Sequence, residues 1–133
     1  MSWEKSLIKL STYEVEVLQK RLAEIGDRRQ SAEMRLAMLF AQGDAETVQA
    51  GPTGGWDLLR FLDALKKRKE IIYSEIEVII AEEAGARDAL AQAFEEQKKY
   101  EHLAEQMRQK AGKKVAQLES AAMDELGLRR ASR

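Results

Sequence analysis

Few of the titratable side chains in this 133-residue chain are spaced for chemistry. His102 is the only histidine, and on a helix it falls on an outer face without an acid–base partner set. Glu82-Glu83 and Glu95-Glu96 are adjacent pairs, so their carboxylates diverge from a helix and suit neither a glycosidase nor a metal site. Gly51-Pro52-Thr53-Gly54-Gly55 is glycine-rich but lacks the lysine and the strand-to-helix setting of a phosphate loop. Lys66-Lys67-Arg68-Lys69 is the densest basic cluster, either a solvated helix face or a dock for an acidic partner. Without cysteine there are no disulfides or thiolate metal sites, which suits a reducing compartment. The expectation is no catalytic residue, no metal ligand and no cofactor: not an enzyme.

Whatever positions these residues is helical. Steps of three and four residues pick out Leu62, Leu65, Lys69, Ile72, Ile76, Ile79, Glu83, Ala86, Leu90, Ala93, Gln97, Tyr100, Ala104, Met107, Ala111, Lys114, Leu118 and Ala121. Fourteen of these eighteen are apolar, and a 3.5-residue period sustained this long marks a helix wound on a partner. The first half has its own heptad: Ile8, Ser11, Val15, Leu18, Leu22, Ile25, Arg29, Ala32, Leu36 and Leu39. The polar interruptions Arg29, Lys69, Glu83, Gln97 and Lys114 fit residues that set register. Met34, Met38, Met107 and Met123 fit packing roles on or beside helix faces.

Between the two heptads, residues 43–55 gather four glycines and the only proline. The predicted order is a single coiled-coil domain: helix 1 about 3–42, a loop about 43–55, helix 2 about 56–126 and a basic tail 127–133. Ser2 is the predicted N-cap, Gly43 the predicted stop of helix 1, and Gly127 that of helix 2. Two helices on a short connection fold back, which makes the fold class all-α, a long antiparallel two-helix coiled-coil hairpin with unequal arms. Placing Leu39 against Leu62 aligns Leu36 with Leu65, Ile25 with Ile76, Leu22 with Ile79, Val15 with Ala86 and Ile8 with Ala93, so that large and small residues alternate across the seam. A shift by one heptad would press Ile25 onto Glu83, so the first alignment is the expected one. Helix 1 is then used up near Lys98, leaving 99–126 without an internal partner yet with an apolar stripe. Phe40, Trp56, Phe61 and Tyr73 gather near the turn, where they either cap the thin core or meet a partner.

Composition narrows the function classes. Charged residues make up 34% of the chain, nearly balanced at 22 basic and 23 acidic, which fits long solvated helices and not a nucleic-acid-binding face. The start lacks a secretory h-region and no stretch is apolar enough to span a bilayer, so the expectation is a soluble, cytoplasmic protein with no direct membrane insertion.

The layout also carries a resemblance. An amino-terminal SLIKLSTYEVEVLQKRLAEI helix, a glycine/proline hairpin, and a return helix with ALAQAFEEQKKYEHLAEQMRQK and QLESAAMDELGLRR together resemble the FliJ family of flagellar export proteins, over essentially the full chain. The resemblance implies a non-enzymatic stalk of the flagellar type III export apparatus, cytoplasmic and peripherally associated with the inner membrane. Such a stalk inserts the end holding its termini into a hexameric export ATPase, meets the linker of the export-gate membrane protein, and binds export chaperones. By position along the hairpin, Tyr100, Ala104, Met107, Ala111, Leu118, Ala121, Arg129 and Arg130 would meet the ATPase. Phe40, Phe61, Leu65, Arg68 and Tyr73 would meet the gate. The alternatives are the equivalent stalk of a virulence-type secretion system and a homodimeric scaffold whose free stripe pairs with a second copy, the chain itself being a monomer or weak dimer.

Overall fold

A computed structural model describes residues 3–131. Helix α1 runs Trp3–Ala50, a single 3-10 turn covers Gly51–Thr53, and helix α2 runs Gly55–Ala131. Among the described residues there is no strand. The all-α helical hairpin expected from the two heptads is what the chain forms: two long helices packed on each other.

The turn is far shorter than its composition implies. Gly51 and Gly55 bracket it with φ of 59° and 55°, left-handed conformations that an L side chain resists. Gly54 is small for a different reason: a Cβ there would lie 2.9 Å from the Ala50 Cβ. Pro52 fits the first turn of the 3-10 segment, where its missing N–H is not needed. Asp57 in the first turn of α2 and Arg129 and Arg130 in its last turn both complement the helix dipole.

Three predicted boundaries are therefore corrected. Gly43 does not stop α1; it lies inside the helix, buried on the seam, with room for Leu65 Cδ1 to approach within 3.3 Å of where a Cβ would stand. Continuation of the heptad past Leu39 puts Gly43 on the packed face, and packing outweighs its low helix propensity. Gly127 does not stop α2 either: the helix continues through it to Ala131, and Arg129 pairs across it with Glu125 at 3.2 Å. The segment from Gly127 is helix as far as Ala131 and not a coil tail. The Ser2 cap and the last two residues of the predicted tail lie outside the described residues.

The alignment of the helices differs from the expected one by a single heptad. Gly43, not Leu36, meets Leu65. Moving the turn from the middle of 43–55 to Gly51–Gly54 feeds one more heptad into α1, and every layer shifts with it. The objection to this alignment was a carboxylate facing Ile25. It is answered by Arg29, whose Nε donates to Glu83 Oε2 at 2.9 Å, and by Arg87, which donates to Glu83 Oε1 at 2.6 Å.

The chain divides into two compact units. In Glu16–Ala91, the core is Ile25, Ala32, Ile72, Ile79 and Ala86, with Leu22, Leu36, Leu39 and Ile76 packed against it. Ion pairs Arg28–Glu82 (2.6 Å) and Arg35–Glu75 (2.7 Å) run along one flank. The other unit joins the beginning of α1, through Val15, to α2 from Gln92 onward. Here Val15, Ala93 and Ser11 are buried, Ser11 Oγ donates to the Ile8 carbonyl at 2.9 Å, and Gln97 Nε2 donates to Thr12 Oγ1 at 3.0 Å. Side chains on α2 stay partly covered as far as Met107, and every residue from Arg108 to Ala131 is exposed. The uncovered stretch thus begins at Arg108, not at Lys99, a displacement in the same direction as the change of alignment.

Candidate functional site

Of the charged groups weighed for chemistry, Glu82 and Glu83 are occupied in ion pairs. Glu82 and Glu83 diverge as adjacent helical residues must, Glu82 to Arg28 and Glu83 to Arg29 and Arg87. Hydrogen bonding from Arg29 lowers the Glu83 carboxyl below its usual range, while desolvation opposes the shift in part. Arg35 lowers Glu75 in the same way. His102 is exposed and has only the Gln106 side-chain amide near its Nε2, at 3.2 Å. No group of three metal-ligating side chains converges among the described residues.

What remains is surface. On the part of the hairpin near the turn, Phe40 and Tyr73 are exposed, Phe61 is half-buried, and Arg68 is exposed. Leu65, placed with them by its position along the hairpin, is 1% exposed and belongs to the core beside Gly43, so it cannot be offered to a partner. Lys69 Nζ sits 4.0 Å from the centre of the Phe40 ring, and Lys67 pairs with Asp63 at 3.4 Å. Half of the basic cluster is thereby engaged within the hairpin. Trp56 is 78% exposed and caps nothing.

A shallow apolar groove on the ion-pair flank escaped the heptad. Met38 and Ile71, at 67% and 69% exposure, line it with Arg35, Leu39, Gln42, Arg68 and Ile72. Both residues flank the seam positions, where an apolar side chain in sequence is indistinguishable from a packing one. Met34, Met38 and Met123 are all exposed, against the expectation of packing, and Met107 alone of the four named is half-covered.

At the end holding the termini, Tyr100, Ala104 and Met107 are half-buried. Ala104 and Met107 share a cleft with Glu4, Lys5 and Ile8 of α1. Ala111, Leu118, Ala121, Arg129 and Arg130 are exposed on the uncovered part of α2. Beyond the expected set, Val115 and Leu126 are exposed there too. Ala111, Val115, Leu118, Ala122 and Leu126 follow one another at steps of three and four, an apolar stripe that starts at the cleft with α1, where Ala111 lies, and is uncovered from Val115 onward.

Over 132 residues the chain is 50% identical to the flagellar FliJ protein of Caulobacter vibrioides strain NA1000 / CB15N, covering 98% of the chain and 95% of that protein. The flagellar FliJ protein of strain ATCC 19089 / CIP 103742 / CB 15 matches to the same extent. The chain belongs to the FliJ family. It is a flagellar, export-related protein, and neither FliJ relative is named for an enzymatic activity. No family model and no solved structure matches it. Among the described residues no helix is long and apolar enough to cross a membrane.

Proposed function

We propose that this FliJ-family chain is the non-enzymatic stalk of the flagellar type III export apparatus. Its uncovered α2 end inserts into a hexameric export ATPase and promotes the assembly and turnover of that ring. The observation that carries the reading is the apolar stripe Val115, Leu118, Ala122 and Leu126 on a helix end that α1 does not reach. In water such a stripe is stable but sticky, and a protein keeps one where a partner covers it. Tyr100, Ala104 and Met107 form the near edge of the same contact, and Arg129 and Arg130 supply positive charge at its far end.

Toward the turn, Phe40, Phe61, Arg68 and Tyr73 meet the linker of the export-gate membrane protein, and export chaperones bind the same stalk when it is free. The protein works in the cytoplasm, held at the inner membrane through these partners and not by a span of its own.

Turnover of the cognate purified export ATPase, measured with and without this chain, tests the proposal. Stimulation that Leu118→Asp abolishes while the helical signal stays intact supports it. A chain that neither binds the ATPase nor changes its turnover refutes it. Sedimentation of the full chain alone separates the homodimeric-scaffold reading: a stable dimer lost in Leu118→Asp would mean that a second copy covers the stripe.

A further inference from the structure

The ion-pair flank of Glu16–Ala91 repeats with the heptad. Arg21, Arg28 and Arg35 stand seven residues apart on α1, and Glu75 and Glu82 stand seven apart on the facing flank of α2. As seated, Arg28 meets Glu82 and Arg35 meets Glu75. Sliding α1 by one heptad toward the turn replaces these pairs with Arg21–Glu82 and Arg28–Glu75. The replacement partners are already close: Arg21 and Glu82 line one depression, and the charge of Arg28 acts on Glu75.

The apolar layers are equally commensurate. After the slide Leu39, Leu36, Ile25 and Leu22 face Leu62, Leu65, Ile76 and Ile79, and seven residues is the smallest step that keeps both stripes inward. The segment that must unwind to feed the turn offers little resistance. Residues 44–49 are all exposed, so their helix holds no core contact, and Gly43, Gly51 and Pro52 bound it. Four features oppose the slide. It would bring Arg35 toward Arg68, separate Gln97 from Thr12 and Lys69 from the Phe40 ring, and pull Arg29 away from Glu83, a carboxylate only 9% exposed.

We infer that α1 has a second seat one heptad along α2, with the Arg29–Glu83 pair acting as the latch that selects the seat observed. Movement between the seats is a slip of about 10 Å. At the other end, the part of α1 before Val15 withdraws from Tyr100, Ala104 and Met107 and lengthens the exposed face of α2 by one heptad. The device needs no particular partner, so it stands or falls separately from the export reading.

The chain has no native cysteine, so engineered pairs report the seats directly. Ala32→Cys with Ile76→Cys joins residues that face each other in the observed seat. Ile25→Cys with Ile76→Cys joins residues that face only after the slide, since an offset of about 10 Å exceeds the disulfide reach of about 7 Å. Ile25→Cys with Ile72→Cys matches neither seat. Under mild oxidation, intramolecular closure is expected to be fast for the first pair, slower but complete for the second, and absent for the third. Adding Glu83→Gln raises the rate of the second pair about tenfold and leaves the third unchanged. Closure of the second pair no faster than the third, or equal acceleration of both, overturns the inference. If cysteines in the core cost the fold, spin labels at exposed Met34 and Val78 give the second measurement. Glu83→Gln should then add a second distance population, and a single unchanged distance overturns the inference.

Discussion

Alanine at Gly51 and alanine at Gly43 should separate cleanly in stability, and the separation locates the turn. Gly51 has φ of 59°, where a side chain costs about 1–2 kcal/mol, and a Cβ there meets nothing within 4 Å, so the cost is purely backbone. Gly43 lies in α1 and is not among the positive-φ glycines; in a helix interior alanine is favoured over glycine by about 1 kcal/mol. Its Cβ would stand 3.3 Å from Leu65 Cδ1 and 3.7 Å from Leu62 Cδ2. Leu65 must therefore give by a few tenths of an ångström, which offsets part of the gain. The expected outcome is a loss of about 1–2 kcal/mol for Gly51→Ala and a change between zero and a gain of about 0.5 kcal/mol for Gly43→Ala. Urea unfolding followed by the helical circular dichroism signal measures both, and an unchanged slope shows that the midpoints report stability alone. If Gly43→Ala proves the costly substitution and Gly51→Ala is neutral, the turn lies at residue 43 and the alignment described here is wrong.

Ile79 and Ile80 are neighbours at 1% and 52% exposure. Ile79→Ala is expected to cost about 2–4 kcal/mol and Ile80→Ala about 0.5 kcal/mol or less; similar losses in thermal unfolding would misplace the seam face. Hydrogen bonding from Arg29 holds the Glu83 carboxyl below its ordinary 4.5, so the stabilisation is complete above that pH and is lost as pH falls through the lowered value. Unfolding midpoints from about pH 5 downward should therefore fall more steeply for the parent than for Glu83→Gln, and parallel profiles would show that the pair contributes nothing. Leu118→Asp lies where no residue of α1 reaches, so the melting temperature should not move while the proposed stimulation of an export ATPase is lost. A substantial fall in melting temperature would mean that the stripe is covered within the chain.

Which residues face inward was legible from the sequence, because a heptad is a property of each helix taken alone. Ile72, Ile79, Ala86 and Ala93 on α2, and Val15, Ile25 and Ala32 on α1, are all buried where the period puts them. How the two stripes align was not legible, for the same reason. A repeat of seven looks identical after a shift of seven, so the choice fell to local cues, and those cues misled. Gly43 has the chemistry of a helix stop, yet its lack of a side chain is used to admit Leu65. Glu83 counts as a penalty in a one-dimensional pattern, but Arg29 meets it from the other helix, and a cross-helix pair appears only once the alignment is known.

That single ambiguity also governs the functional surface. The stripe available to a partner begins where α1 ends along α2, so an error of one heptad in alignment moves its start in the same direction, here from Lys99 to Arg108. Tyr100, Ala104 and Met107 thereby change from wholly free to half-covered residues, in which a substitution disturbs packing as well as any partner. Leu65 moves the other way, from a proposed contact into the core. The residues that can report partner binding without touching the fold are those beyond the reach of α1 in either alignment. Val115, Leu118 and Leu126 meet that condition, and a loss of function there with unchanged unfolding is attributable to the surface alone.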